Sequence, residues 1–334
     1  MLLIIDNSIG ENFVNSLLIK INNNLPYCLA RGKGQFYPIK SDTDIIIERK
    51  DYHKFLTLLT SLQVELNFDI SNIIKRQYVY THILYLKEFN VFVQIDTEFD
   101  FDWWSFRIIN TKDILNRSQL SESIIYASEI DSSFMKFYRS LLWGGGLSKK
   151  YKNAINLFDF EFVDKSTYLK TPSSVKPGEL RNYYSSNVFQ RLKKTRKSLI
   201  LTNFVSFGVV KTLYRFFTFI FFELRLLFSN NGTTLFIHGD VEIINEVRHN
   251  LKEYINIYNA PFKEILFFKN ISYLKKRKLL RDSYLLISDN HSNSDFELLL
   301  KNNSFYLKKK GVLIHEAKRS DFIINNFINI IYNY

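Results

Sequence analysis

The sequence predicts an α/β chain: a small mixed-sheet domain, a helical middle, then a small, mostly parallel three-layer α/β domain. Three observations carry this. Apolar segments of strand length recur toward both ends of the chain. Its middle carries helical periodicity. Only 11 glycines and 5 prolines interrupt 334 residues. With 46% hydrophobic and 23% charged residues the composition is globular, which excludes wholesale disorder and collagen-like order. The length suits two cores rather than one.

The first stretch, 1–110, reads as the mixed-sheet domain. LPYCLARG at 25–32 is a short strand running into glycines, and DTDIIIE at 42–48 is a strand that begins with acids. DYHKFLTLLTSL at 51–62 predicts an amphipathic helix with Phe55, Leu56, Leu58 and Leu59 on its apolar side. VYTHILYL at 79–86 and NVFVQIDTEF at 90–99 predict two strands joined by the link Lys87–Phe89. Val91, Val93 and Ile95 alternate there with Phe92, Gln94 and Asp96, a period of two.

The second stretch, 111–184, is expected to be a helical extension. SSFMKFYRSLLWGG predicts a helix ending at Gly144–Gly146, and TPSSVKPG at 171–178 is the clearest linker in the chain. The third, 185–230, is a basic apolar connector. It holds Arg191, Lys193, Lys194, Arg196, Lys197, Lys211, Arg215 and Arg225 against one acid, Glu223. Lys211, Arg215, Thr218 and Arg225 fall on one stripe of a helix, and most of the remainder is Phe, Leu, Val and Ile. Two readings stand for this stretch. One is a helix lying in an anionic membrane interface through 190–228. The other is a long helix packed across the domains with its stripe in water. A transmembrane span is disfavoured, because Lys211 and Arg215 would sit mid-membrane.

The last stretch, 231–334, returns to α/β. TTLFIHG (233–239), KEILFF (263–268), SYLLISD (283–289) and GVLIHE (311–316) are strand candidates, and EIINEVRHNLKEYI (242–255) is a helix. This order fits a mostly parallel sheet with helices on its faces.

Chemistry concentrates at 28–48 and at Asp96. Asp42 and Asp44 lie two apart on one predicted strand, so both carboxylates share a face. Like charges that close need a neutralising partner, and a hard divalent cation such as Mg²⁺ takes carboxylate oxygens. Asp96 sits on an apolar strand, and completes a triad if that strand pairs beside 43–48. Three carboxylates holding Mg²⁺ are suited to nucleotidyl transfer, where the metal neutralises a triphosphate and activates an acceptor hydroxyl. Gly32 and Gly34 would let backbone N–H groups approach phosphate, with Arg31 and Lys33 as triphosphate clamps.

Gly32-Lys33, then Asp42-Thr43-Asp44, then the distant Asp96 resembles the nucleotidyltransferase superfamily of polymerase-beta type over about 100 residues. Lys33 stands where that family usually has Gly or Ser. The order of the stretches is further similar to proteins of bacterial surface-polysaccharide gene clusters. Those fuse a nucleotidyltransferase-like domain to a thymidylate-kinase-like P-loop domain. A Walker loop counted from Gly239 would need Gly, Lys and Ser or Thr at 244–246, where this chain has Ile244, Asn245 and Glu246. The resemblance therefore implies a degenerate P-loop half. It also implies Mg²⁺-dependent transfer from a nucleoside triphosphate to a small-molecule or glycan-related acceptor. Asp42, Asp44 and Asp96 would be catalytic and metal-binding, and Arg31, Gly32, Lys33 and Gly34 nucleotide-binding. The alternative is a catalytically silent nucleotide-binding or scaffolding protein.

The remaining signals bound these readings. Cys28 is the only cysteine, which excludes an intrachain disulfide and a thiolate metal cluster and fits a reducing compartment. The N-terminus lacks the basic region of a secretory signal, so a cytoplasmic location is expected, with peripheral contact at the inner membrane face. A formal charge of +12 admits nucleic acid, nucleotides and anionic lipid. A nucleic-acid partner is disfavoured, because the bases concentrate in an apolar stretch. Trp103 and Trp104 read as packing, and Cys28 as a buried strand residue. His82 and His238 lack a partner at metal-ligand spacing.

Overall fold

The computed structural model describes residues 7–30, 42–142 except 77, 90, 100 and 104–105, and 209–228. Toward the C-terminus it describes 233–238, 242, 244–247, 249–251, 265–268, 276, 279–280, 285–288, 294–301, 304–318 and 330–331. Within these residues the chain is an α/β fold with two mixed sheets.

The first sheet has seven strands. They are β1 (Cys28–Leu29), β2 (Thr43–Ile46), β3 (Phe68–Lys75), β4 (Val79–Leu86), β5 (Val91–Glu98), β8 (Gln119–Ser121) and β9 (Ile124–Tyr126). Their spatial order is β3-β4-β5-β2-β1-β9-β8. β2 pairs parallel to β5 and antiparallel to β1, while β1 pairs parallel to β9 through Leu29 and Tyr126. The expected strands at 79–86 and 90–99 are present as β4 and β5, joined at Lys87–Phe89 as an antiparallel hairpin. A separate hairpin of β6 (Phe101–Trp103) and β7 (Phe106–Ile109) follows.

Helices α1 (Asn7–Asn22) and α2 (Tyr52–Glu65) pack on this sheet and touch each other. Val14, Leu17, Leu18 and Ile21 recur at helical spacing on α1 and are buried. On α2 the buried residues are Phe55, Leu59 and Leu62, with Leu56 and Leu58 half-buried, close to the expected apolar side. α2 stops where Asn67 takes a positive φ of 49°, a conformation Asn tolerates and most residues avoid. Asn67 then accepts a bond from the Lys87 N–H through its carbonyl, tying the helix exit to the β4–β5 turn.

Residues 111–142 are helical as expected at α3 (Thr111–Asn116) and α4 (Glu129–Leu142). They also carry β8 and β9, which extend the first sheet beyond β1. The β8–β9 turn is Glu122-Ser123, both with positive φ, matching the twist of a tight hairpin. Ser128 precedes α4 and its hydroxyl accepts from the Asp131 N–H, while the Ser128 hydroxyl donates to Asp131 Oδ2 at 2.7 Å. Arg117 grips the same carboxylate with two bonds, Nε to Oδ2 at 3.0 Å and Nη2 to Oδ1 at 2.7 Å. The expected glycine stop of that helix, at Gly144–Gly146, and the linker at 171–178 lie outside the described residues.

α5 (Val209–Phe228) is the described part of the basic connector. Among the described residues no helix is long and apolar enough to cross a membrane.

The second sheet has six strands in the order β11-β12-β10-β13-β14-β15. These are β10 (Thr233–His238), β11 (Ile265–Phe268), β12 (Leu285–Ser288), β13 (Phe296–Lys301), β14 (Ser304–Lys309) and β15 (Val312–Lys318). The first four of these pair in parallel, and β14 and β15 add an antiparallel ribbon. Four of the strands were expected. β13 and β14 were not, and their Glu297, Lys301, Lys308 and Lys309 dilute the apolar pattern. Helical residues occur at 244–247 and 249–251, with Val247 and Leu251 buried. Asp295 holds β10 to the start of β13. Its Oδ2 accepts from the Thr234 N–H at 2.9 Å and the Thr234 hydroxyl at 2.6 Å.

Candidate metal centre

The first sheet brings Asp42, Asp44 and Asp96 together. β2 lies beside β5 in a register that sets Asp44 next to Asp96, and Asp42 stands one residue before β2. Paired neighbours share a sheet face, and residues two apart on a strand share one too. One oxygen from each carboxylate lies within 4.8 Å of the others. Asp44 is 3% exposed, and Asp42 and Asp96 are half-buried.

The opposite face of this sheet carries the helices. His82 is next to Thr81 on β4 and turns the other way, against Tyr52 and Phe55 of α2. Thr81 pairs with Asp96 and so shares the acidic face. The sheet therefore separates a packed apolar side from a side where three acids meet.

Burial pushes the Asp96 carboxyl up from 3.8 to about 6, helped by the charges of Asp44 and, less, of Asp42. Hydrogen bonds from Thr81 and Gln94 oppose that rise. Gln94 donates from Nε2 to Asp96 Oδ1 at 3.2 Å. Neither Gln94 nor Thr81 was singled out as a site residue from the sequence. Gln94 did carry a signal, as a polar residue two before Asp96 on the same face of an otherwise apolar strand. Nothing in the sequence marks Thr81.

The donor set is all oxygen, negatively charged and crowded, which fits a hard divalent cation. Crowding that lifts a carboxyl toward neutral pH is relieved when a dication takes the place of the proton. Such an ion neutralises phosphate charge and lowers the pKa of a bound hydroxyl.

Arg31, Gly32, Lys33 and Gly34 lie outside the described residues. Ala30, which precedes that segment, donates its N–H to the carbonyl of Asp44 in the triad at 3.0 Å.

The other residues considered take structural places. His82 is fully buried, with Nε2 3.1 Å from the Tyr52 hydroxyl and Nδ1 3.3 Å from the Ile95 carbonyl. Burial lowers its pKa to about 4, so the ring is neutral at pH 7, with Nδ1 donating to the carbonyl and Nε2 accepting from Tyr52. Cys28 is buried and free, and burial pushes its thiol well up, as a packing residue requires. Trp104 and Gly239 lie outside the described residues. His238 ends β10 exposed, and Asn245 and Glu246, at two of the three degenerate Walker positions, are exposed on helical turns.

No protein-family model matches the chain. No curated protein matches it either. Two solved structures do. One is JHP933 from Helicobacter pylori, at 14% identity over 66% of this chain and 96% of that chain, with a TM-score of 0.29. The other is a candidate nucleotidyltransferase from H. pylori, at 12% identity over 64% of this chain and 96% of that chain, also with a TM-score of 0.29. These likenesses are distant, and the functional argument rests on the acids.

Proposed function

We propose that the chain is a Mg²⁺-dependent nucleotidyltransferase that acts on a nucleoside triphosphate and a small-molecule or glycan-related acceptor. The observation that carries this reading is the meeting of Asp42, Asp44 and Asp96 on one face of adjacent strands. Bound there, Mg²⁺ would supply charge neutralisation for the triphosphate and a lowered pKa for the acceptor hydroxyl. Asp42 and Asp44 would hold the ion and orient the phosphates. Asp96 would complete the ligand set and help activate the acceptor oxygen. Gln94 and Thr81 fix the Asp96 oxygens by hydrogen bonds. Arg31, Gly32, Lys33 and Gly34 follow Ala30 directly, and are the groups proposed to meet the phosphates. A cytoplasmic setting in surface-polysaccharide biosynthesis is part of the proposal and rests on the resemblance in domain order.

The test is calorimetric titration of ATP, GTP, CTP and UTP with Mg²⁺ into the purified protein and into Asp42→Asn/Asp44→Asn. Metal-dependent binding of one nucleotide, weakened by more than about 100-fold in the variant, is expected. A folded protein that binds none of the four overturns the reading and leaves the silent scaffold.

A further inference from the structure

α5 turns its apolar side outward. Val210, Tyr214, Phe217 and Phe221 are 81%, 72%, 64% and 64% exposed, and Leu213 and Leu224 are 40% and 49% exposed. At about 100° per residue these six positions occupy one side of the helix. A helix docked on a core buries such a side. Scattered exposed apolar residues are ordinary on a folded surface, but six on one helix side, three of them aromatic, mark an interaction surface.

Charge selects the partner. By the same spacing, positions 225, 211 and 215 follow beside the apolar side, and all three are basic: Arg225, Lys211 and Arg215. The wider stretch 185–230 holds eight basic residues and a single acid, Glu223. An apolar, aromatic side flanked by bases complements an anionic bilayer, where phosphates face the bases and the acyl boundary receives Phe and Leu. A nucleic-acid surface would instead offer the aromatics phosphates and bases without any apolar region for Val210, Leu213 and Leu224. We propose that α5 lies in the plane of an anionic membrane surface, with Val210, Leu213, Tyr214, Phe217, Phe221 and Leu224 in the headgroup–acyl boundary. The inference is independent of the acidic site and stands whether or not that site transfers nucleotides.

The experiment is co-sedimentation of the full chain with vesicles of phosphatidylcholine alone or mixed with phosphatidylglycerol, at low and high salt. Binding to the mixed vesicles should exceed binding to neutral ones by about tenfold and weaken with salt. Phe217→Asp/Phe221→Asp should lower it by more than about tenfold, and Phe217→Leu/Phe221→Leu should retain it. A second readout works on a folded chain with one altered exposed position. A fluorophore on Phe217→Cys labels selectively because Cys28 is buried, and its emission should shift to the blue on mixed vesicles. No anionic-vesicle binding, no blue shift, or equal binding by the aspartate variant overturns the proposal. So does an RNA of mixed sequence that displaces the protein from vesicles while binding the aspartate variant undiminished.

Discussion

Asp96 and His82 sit on neighbouring strands, face opposite sides of the first sheet, and titrate in opposite senses. The Asp96 carboxyl is raised to about 6, so its proton favours the fold at low pH and that contribution is lost as pH rises through 6. The His82 ring is depressed to about 4, so its neutral form favours the fold above about 6.5 and that contribution is lost as pH falls through 4. Each amounts to as much as about 3 kcal/mol, and between pH 4 and 6 the two slopes oppose. Asp96→Asn should expose the His82 slope. In metal-free buffer the variant is expected to be more stable than the parent at pH 7.5, by about 1–3 kcal/mol, and to lose stability on acidification to pH 4. Urea unfolding at both pH values measures this, and a variant less stable at pH 7.5 would refute it. Mg²⁺ should raise the melting temperature of the parent and leave Asp96→Asn/Asp44→Asn unmoved. The acids were legible in the sequence because a carboxylate among Val, Phe and Ile is costly without a partner. Thr81 was not, since threonine is at home on any strand and only the register with Asp96 gives it a role.

At the scale of elements, the junction of β9 and α4 is held by a buried side-chain network. Asp131 is fully buried, yet receives two bonds from Arg117 and one from Ser128. Asp131→Ala would leave Arg117, which is 31% exposed, to find water for its lost partner. The cost should be about 2–4 kcal/mol. Ser128→Ala removes the cap of α4 and should cost about 1 kcal/mol. Urea midpoints order the two variants, and the ranking fails if Ser128→Ala proves the more damaging. Long apolar strands were visible from their pattern, and β4 and β5 fall where alternation put them. The strands that escaped are short or mixed. β8 is Gln-Leu-Ser, and β3 interrupts its apolar series with Asp69, Ser71 and Asn72. The β8–β9 turn uses Glu122-Ser123 in place of the Asn-Gly or Asp-Gly pair that signals a tight hairpin. Helix α1 contains Gly10 and four asparagines, weak helix formers that hide its buried row.

For the whole molecule, each sheet is built from its own part of the chain. Strands of the first lie between Cys28 and Tyr126, and those of the second between Thr233 and Lys318. β8, β9 and the Arg117–Asp131 pair lie beyond residue 110, so a fragment of residues 1–142 should unfold cooperatively and keep the cation site. A fragment ending at 110 should not, because β1 would lose its β9 partner. Chemical unfolding followed by circular dichroism distinguishes the two, and equal behaviour would count against this boundary.

The register that sets Asp44 beside Asp96 also fixes where the site lies in the exchange landscape of the protein. β2 and β5 are interior strands, hydrogen-bonded on both sides, and amides there open only with the largest unfolding events. Asp42 stands just outside β2. Two of the three acids are therefore held by backbone that deuterium reaches last, and the third by backbone at a strand end. An incoming cation would find Asp44 and Asp96 already in position and would have only Asp42 to order. Amide protection gained on binding should then concentrate at residue 42 and its neighbours, with β2 and β5 already as slow as the fold allows.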